Sequence, residues 1–306
     1  MAIADTDRLP PATSDKAKTK TKPQKPRSNI RLYDHIVLAI GVFIMMGPLV
    51  VAFLTSTHDY VTIHREGMQI TWGGNFLETY KNVLYQKGGF TGEVTGLLMT
   101  QNSLILGIGF AVGKIVVSML AAYAIVYFRF PFATLSFWII FTTLLLPLEV
   151  RILPSYEVVQ QLGMLNSYSG LIIPLIASAT GTFFFRQFFK SIPNEMIEAA
   201  RIDGAGPVQF FWDILVPLSK TMIAAIFIIM FVVGWNQYLW PTLMTTEEGY
   251  FTLVRGIRNI MQQMIGADIP EYNEALAMAV LAMLPPALVI MIFQRMFIKG
   301  LVEQEK

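Results

Sequence analysis

The sequence of 306 residues contains no cysteine, few charged residues and only three histidines. The absence of cysteine excludes disulfide bonds, a thiolate nucleophile and zinc–thiolate sites. His35 precedes an apolar run, and His58 and His64 lie in a polar segment with a spacing that does not indicate a metal site. There is also no nucleophile–base pair and no phosphate-binding Walker loop. We therefore expect no catalysis, no bound metal or cofactor, and no ATP hydrolysis by this chain.

Apolar residues dominate what is present. They make up 54% of the chain, and charged residues only 14%, against roughly 25% charged residues in soluble domains. Six runs reach the length of about 20 apolar residues that a bilayer requires. They lie near residues 36–55, 104–128, 132–153, 168–187, 219–243 and 274–297. The sequence therefore predicts an all-α integral membrane protein with six transmembrane helices.

The distribution of Lys and Arg predicts the orientation of these spans. Residues 1–32 contain eight of them without apolar periodicity, which is typical of a disordered basic tail that sets topology or contacts anionic lipid. With both termini in the cytoplasm, 16 of the 23 Lys and Arg residues lie inside, six outside and Lys114 within a span. Because cytoplasmic loops are usually enriched in these residues, we predict that orientation for the membrane domain, residues 33–306.

Two longer polar segments would then face the outside. Residues 57–100 contain Trp72 and several tyrosines and are predicted to form a small cap, with an amphipathic helix near residues 76–84. Residues 245–273 form the second outer segment. Together they would provide a surface on the outer side of the membrane.

The hydrophilic segment EAARIDGAGPVQFFWDILVP, residues 198–217, interrupts the apolar runs on the cytoplasmic side. Asn194 is a candidate N-cap for a helix that leads into it. Gly204 and Gly206 permit a sharp reversal, and Pro207 suits the first position of the next helix. A short helix, a tight elbow and a second helix are therefore predicted. Adjacent alanines before the elbow leave one face open to close approach, which suits docking better than catalysis.

The spacing within this segment resembles a known motif. Glu198, Ala199 and Ala200 are followed by three residues, Gly204, nine further residues and then Ile214-Leu215-Val216-Pro217. This is similar to the EAA loop of ABC importer permeases, EAA-x3-G-x9-I-x-L-P, with Val216 where leucine is usual. The segments LPLEVRILPSYEVV, SATGTFFFRQFF and GWNQYLWP resemble, within that family, permeases of sn-glycerol-3-phosphate importers.

The resemblance implies a type I importer permease in the bacterial inner membrane. It implies a heterodimer with a second permease, two copies of an ATPase subunit that bind ATP and Mg²⁺, and an extracytoplasmic binding protein; no nucleic acid is expected. Residues 190–217 would be the cytoplasmic loop that couples to the ATPase. The coupling residues carried over are Glu198, Ala199, Ala200, Arg201, Asp203, Gly204 and Pro217.

The cargo is less closely defined. The resemblance favours sn-glycerol 3-phosphate or glycerophosphodiesters, but a neutral sugar or polyol stays open because related permeases share the loop. A stand-alone secondary carrier is a further alternative, and it leaves the EAA spacing unexplained.

Polar residues within spans are candidates for the translocation path, since such residues usually face a bundle interior or a watery cavity. Lys114 either attracts an anionic cargo or makes a structural ion pair or backbone-carbonyl contact. Arg151 suits phosphate recognition, although it and Glu149 also make a candidate structural pair, with each other or with the second permease. Asn236 and Gln237 either line the path or belong, with Tyr238 and Trp240, to an interfacial aromatic belt.

Overall fold

A computed structural model describes residues 32–85, 94–128, 130–263, 265 and 270–302. The predicted basic tail therefore lies, except for Leu32, outside the described residues. The described part is helical and contains no β-strand. Its α-helices are α1 (Leu32–Ser56), α2 (Tyr60–Glu66), α3 (Phe76–Tyr85), α4 (Gly96–Tyr127), α5 (Ala133–Thr142), α6 (Leu148–Gln161), α7 (Tyr168–Ile172), α8 (Ala179–Ser191), α9 (Asn194–Ile202), α10 (Pro207–Gln209), α11 (Val216–Leu218), α12 (Lys220–Trp235), α13 (Leu239–Met244), α14 (Leu253–Gln263) and α15 (Tyr272–Val302). Short 3₁₀ turns occupy Thr143–Leu145, Ile173–Leu175 and Glu248–Tyr250, and a π-helical turn occupies Phe210–Leu215.

Contacts divide the chain into two units, Met1–Met46 and Gly47–Lys306. The described part of the first unit is the beginning of α1, whose apolar side chains are largely exposed. In the second unit, α4 packs against α8 and α12, and α12 packs against α15. Glycines on α4 make the contacts close: a Cβ at Gly107 would lie 3.0 Å from Cε2 of Phe231 on α12. Small residues at helix contacts are the usual means of close packing in membranes.

Three helices are long and apolar enough to cross a membrane: Leu32–Ser56, Gly96–Tyr127 and Tyr272–Met296. Two helix pairs meet the same test only when each is counted as one bent span. They are Tyr168–Leu175 with Ala179–Ser191, bent by 50°, and Pro207–Leu218 with Lys220–Trp235, bent by 73°. The described residues thus contain three to five spans by this test, against the six predicted.

The third predicted run, residues 132–153, accounts for the difference because it is not one helix. The α5 helix has 10 residues and so rises only about 15 Å, half of the roughly 30 Å hydrocarbon core. Pro147 then stands in extended conformation before α6. Pro154 lies inside α6.

The cap helix predicted near residues 76–84 is confirmed as α3, Phe76–Tyr85. In contrast, the assignment of Trp240 to an interfacial belt is wrong. Its side chain is fully buried, and its Nε1–H donates to the carbonyl oxygen of Leu171 at 3.2 Å. Trp235 is buried in the same way, with its Nε1–H donating to the carbonyl of Ala282. Both indoles therefore join separate helices of the bundle.

Candidate functional site

The predicted elbow after α9 has the geometry that only glycine adopts without strain. Gly204 has φ +79°, in the left-handed region. Its N–H donates to the carbonyl of Arg201 at 3.1 Å, and the N–H of Ala205 donates to that of Ala200 at 2.9 Å. These two bonds define a Schellman motif, which satisfies carbonyls left open at a helix end. The helix begins at Asn194 itself, after Pro193, and no side chain caps it, so the N-cap prediction was wrong.

The second helix of the segment begins at Pro207, as predicted. Its regular pattern then loosens into the π-helical turn Phe210–Leu215, which the sequence reasoning missed. Pro217 follows directly, and because proline has no N–H it cannot continue the normal bonding ladder. The Ser219 hydroxyl donates to the carbonyl of Leu215 at 2.6 Å, at the point where the chain bends into α12. Pro217 therefore stands at the junction between the loop and a membrane helix.

The two alanines of the motif face different ways. Ala199 is exposed, whereas Ala200 is only 5% exposed and packs within the chain. Ala200 lines a groove of about 380 Å³ together with the rings of Tyr123 and Tyr127. The expectation that both alanines present one docking face is thus wrong for Ala200, whose small side chain admits the tyrosines of α4. The remaining coupling candidates are exposed: Glu198, Arg201, Asp203, Gly204 and Pro217.

Two tyrosines at the end of α4 hold this segment. The Tyr123 hydroxyl donates to the carbonyl of Pro207 at 2.9 Å, and the Tyr127 hydroxyl to that of Phe189 at 3.1 Å. The ring of Tyr127 also meets the ring of Phe210 edge-on at 5.3 Å. We call Tyr123 and Tyr127 the tyrosine clamp. The sequence reasoning missed it, although tyrosines four residues apart at the C-terminal end of an apolar run were a usable signal.

Charges on the exposed part of the loop remain available to a partner. Within the described part of the chain, Arg201 and Asp203 make no ion pair. The two residues therefore form no salt bridge within the described part of the loop. Apolar side chains are exposed nearby, with Ile202 at 86% and Val208 at 72%. A surface that combines free charges with exposed aliphatic groups suits contact with another protein.

A second cavity, also of about 380 Å³, lies at the break before α8. Lys114 and Arg151 both line it, with the hydroxyl-bearing residues Thr143, Ser178, Thr180 and Thr182. The Lys114 Nζ donates to the carbonyl of Ala177 at 3.1 Å and lies 4.5 Å from the centre of the Phe110 ring. The backbone contact considered for Lys114 therefore exists, and the structure also brings it together with Arg151. We call this the two-cation cavity.

Glu149 does not line the two-cation cavity. Nor does it pair with Arg151 among the described residues, since side chains two apart on a helix do not face each other. A pair between these two residues is therefore not formed in the described part of the chain. Pairing of either residue with a second permease stays a prediction.

The two amide residues that follow α12 lie outside the two-cation cavity. Asn236 is the C-cap of α12, is exposed, and its Nδ2 donates to the carbonyl of Val232 at 2.8 Å. Gln237 is half-buried beside it. Neither lines the two-cation cavity, so their place in a translocation path stays a prediction.

A bundle of membrane-length helices, with a helix–elbow–helix loop bonded to one of them, fits the class of membrane permeases that are driven by a separate ATPase subunit. Consistent with this class, the fold matches a chain in the crystal structure of a bacterial ABC transporter involved in the import of the acidic polysaccharide alginate. The TM-score is 0.73 at 20% identity, over 90% of this chain and 99% of that one. The fold is that of a type I ABC importer permease.

The family is shown by sequence. Residues 114–303 match the model of the binding-protein-dependent transport system inner membrane component, and the chain belongs to this family. It is 46% identical to the sn-glycerol-3-phosphate transport system permease protein UgpE of Yersinia enterocolitica over 92% of this chain and 99% of that protein. The UgpE proteins of Pectobacterium atrosepticum and Salmonella typhi are 45% and 46% identical over the same shares. The chain is a multi-pass inner-membrane transport subunit and not an enzyme.

Proposed function

We propose that this chain is the permease subunit of an ATP-driven importer of sn-glycerol 3-phosphate or glycerophosphodiesters. The observation that carries the proposal is the 46% identity, over nearly the whole length of both chains, to permeases named for sn-glycerol 3-phosphate. The two-cation cavity supports an anionic cargo, because none of the described residues lining it carries a carboxylate. A neutral sugar or polyol remains the second candidate, but it would carry no negative charge to interact with Lys114 and Arg151.

In this proposal the chain pairs with a second permease, two ATPase subunits and an extracytoplasmic binding protein. Both termini lie in the cytoplasm, as the Lys and Arg distribution favours. ATP and Mg²⁺ bind to the ATPase subunits. The exposed residues Glu198, Ala199, Arg201 and Asp203 contact the ATPase, while Gly204 sets the angle of the loop and Pro217 joins it to α12.

The tyrosine clamp provides a route from the loop to the membrane. Tyr123 and Tyr127 lie on the same continuous helix as Lys114, about 14 Å along its axis in the case of Tyr123. A displacement of the loop by ATPase closure would therefore move α4 as a rigid body. Since Lys114 travels with that helix, the cavity changes shape when the loop moves.

ATP-driven uptake by the reconstituted transporter tests the proposal. We expect uptake of sn-glycerol 3-phosphate to require ATP and the binding protein, and to continue when an uncoupler collapses the proton gradient. Uptake that stops with the uncoupler but continues without ATP would indicate a secondary carrier. Uptake of a neutral sugar in place of the phosphate ester would overturn the cargo assignment.

A further inference from the structure

The two-cation cavity is the strongest feature of the molecule without an assigned role. Two positively charged side chains from separate helices line it. Lys114 comes from the middle of α4 and Arg151 from the first turn of α6. Both side chains line the same cavity, so their like charges repel each other across it. Uncompensated charge in a membrane protein is costly, and such groups usually mark a substrate or ion pathway. An anion between the two side chains would relieve the repulsion.

Lys114 and Arg151 both keep hydrogen-bond donors that the described part of the chain does not use. The Lys114 ammonium has three donors, and one is used by the carbonyl of Ala177. Arg151 is exposed and makes no hydrogen bond or ion pair with the described residues. Its planar guanidinium suits two parallel bonds to phosphate oxygens. At least two ammonium donors and a guanidinium fork are thus available to a ligand.

Other residues that line the cavity supply hydroxyl groups. Ser178 accepts from the N–H of Gly181 at 3.1 Å and so caps the start of α8. Thr180, in the first turn, also lines the cavity and adds a hydroxyl that can rotate to donate. The bent pair breaks here, and in transporters the beginnings of such half-helices often face anionic groups of the cargo. These groups add to the site that the two cations define.

We infer that Lys114, Arg151 and the hydroxyl of Thr180 form a binding site for the phosphate group of a phosphate monoester on its way through the membrane. The inference rests on the proposed function and deepens it, because it assigns selectivity to the permease itself. A phosphate monoester carries between −1.5 and −2 charges near pH 7, which matches two cations. A phosphodiester carries a single charge and a sugar none, so both bind this site more weakly.

Equilibrium binding of radiolabelled sn-glycerol 3-phosphate and inorganic phosphate to the purified transporter complex, without binding protein, tests the site. We expect Lys114→Gln and Arg151→Gln each to raise Kd at least about tenfold, equal to about 1.4 kcal/mol. Lys114→Arg keeps the charge and should stay within about threefold of wild type. Lys81→Gln removes an exposed cation of α3 outside the cavity and should change nothing.

The inference is overturned if the wild-type complex binds neither probe, or if the glutamine variants bind as tightly as wild type. Should Lys114→Gln fail to fold, Arg151→Gln decides the matter, because the exposed Arg151 side chain makes no hydrogen bond or ion pair with the described residues. ATP-driven uptake on the same preparation separates this result from the proposed function. Import of a neutral sugar alone would refute the proposed function, whereas loss of phosphate binding in the variants would still support the site.

Discussion

Replacement of Gly204 tests whether the loop acts as a rigid lever. An added Cβ at Gly204 meets nothing within 4 Å, so alanine acts only through the backbone. Holding a residue with a Cβ at φ +79° costs about 1 to 2 kcal/mol, which reduces the population of the native elbow by a factor of about 5 to 30. Proline cannot adopt this φ and also lacks the N–H that bonds to Arg201. Gly204→Pro should therefore abolish the elbow, and Gly204→Ala should weaken it.

Gly206 provides the matched control. A Cβ there also meets open space, but its φ of −69° suits any residue. The assay is the number of cargo molecules imported per ATP hydrolysed in proteoliposomes. We expect this ratio to fall in the order Gly206→Ala, Gly204→Ala, Gly204→Pro, with Gly206→Ala equal to wild type and all variants inserted normally. Full coupling in Gly204→Pro would refute the lever.

Three further changes probe the loop and the cap that contains α2 and α3. Ala200→Trp places an indole in the groove beside Tyr123, which forces the loop away from α4; we expect ATP hydrolysis without import, and normal import per ATP would contradict the packing. Tyr123→Phe removes the bond to the carbonyl of Pro207 and about 1 kcal/mol, so import per ATP should fall while the ring contacts hold the fold; an unchanged ratio would count against the clamp. In the cap, hydrogen bonds from Thr62 lower the pKa of Asp59 below its ordinary value. The stabilising effect of the Asp59 carboxylate is therefore present above its unfolded pKa and is lost as the pH falls through the lower folded pKa. Hydrogen exchange of α2 should show that loss below about pH 4. Asp59→Asn should remove the pH dependence.

Much of the fold follows from local sequence. The helix containing Lys114, the cap helix α3 and the glycine elbow each depend on neighbours within one or two turns, so their patterns were sufficient. The break at Pro147 was harder to predict, because hydropathy averages over a run and does not sense where helix bonding stops. Trp240 shows a different limit. Its burial depends on Leu171, a residue 69 positions away, and no local pattern contains that contact.

The types of residue in the candidate site could be predicted from the sequence, but their arrangement could not. Lys114 and Arg151 stood out as charges near or within apolar runs, but only the packing of separate helices brings them to one cavity. The amides Asn236 and Gln237 matched the same expectation and lie outside that cavity. Composition therefore identified candidate polar groups, and tertiary structure selected among them. The burial of Ala200 could not be predicted for the same reason, because the tyrosines beside it are on α4.

The most direct measurement is ATP hydrolysis by the reconstituted transporter, with binding protein plus sn-glycerol 3-phosphate, glycerophosphocholine or maltose in turn. If this chain is the permease of a phosphate-ester importer coupled through the EAA loop, a phosphate ester stimulates hydrolysis and maltose does not. The Gly204→Pro variant should not convert that stimulation into uptake. Stimulation by maltose with no response to either phosphate ester would contradict the assignment.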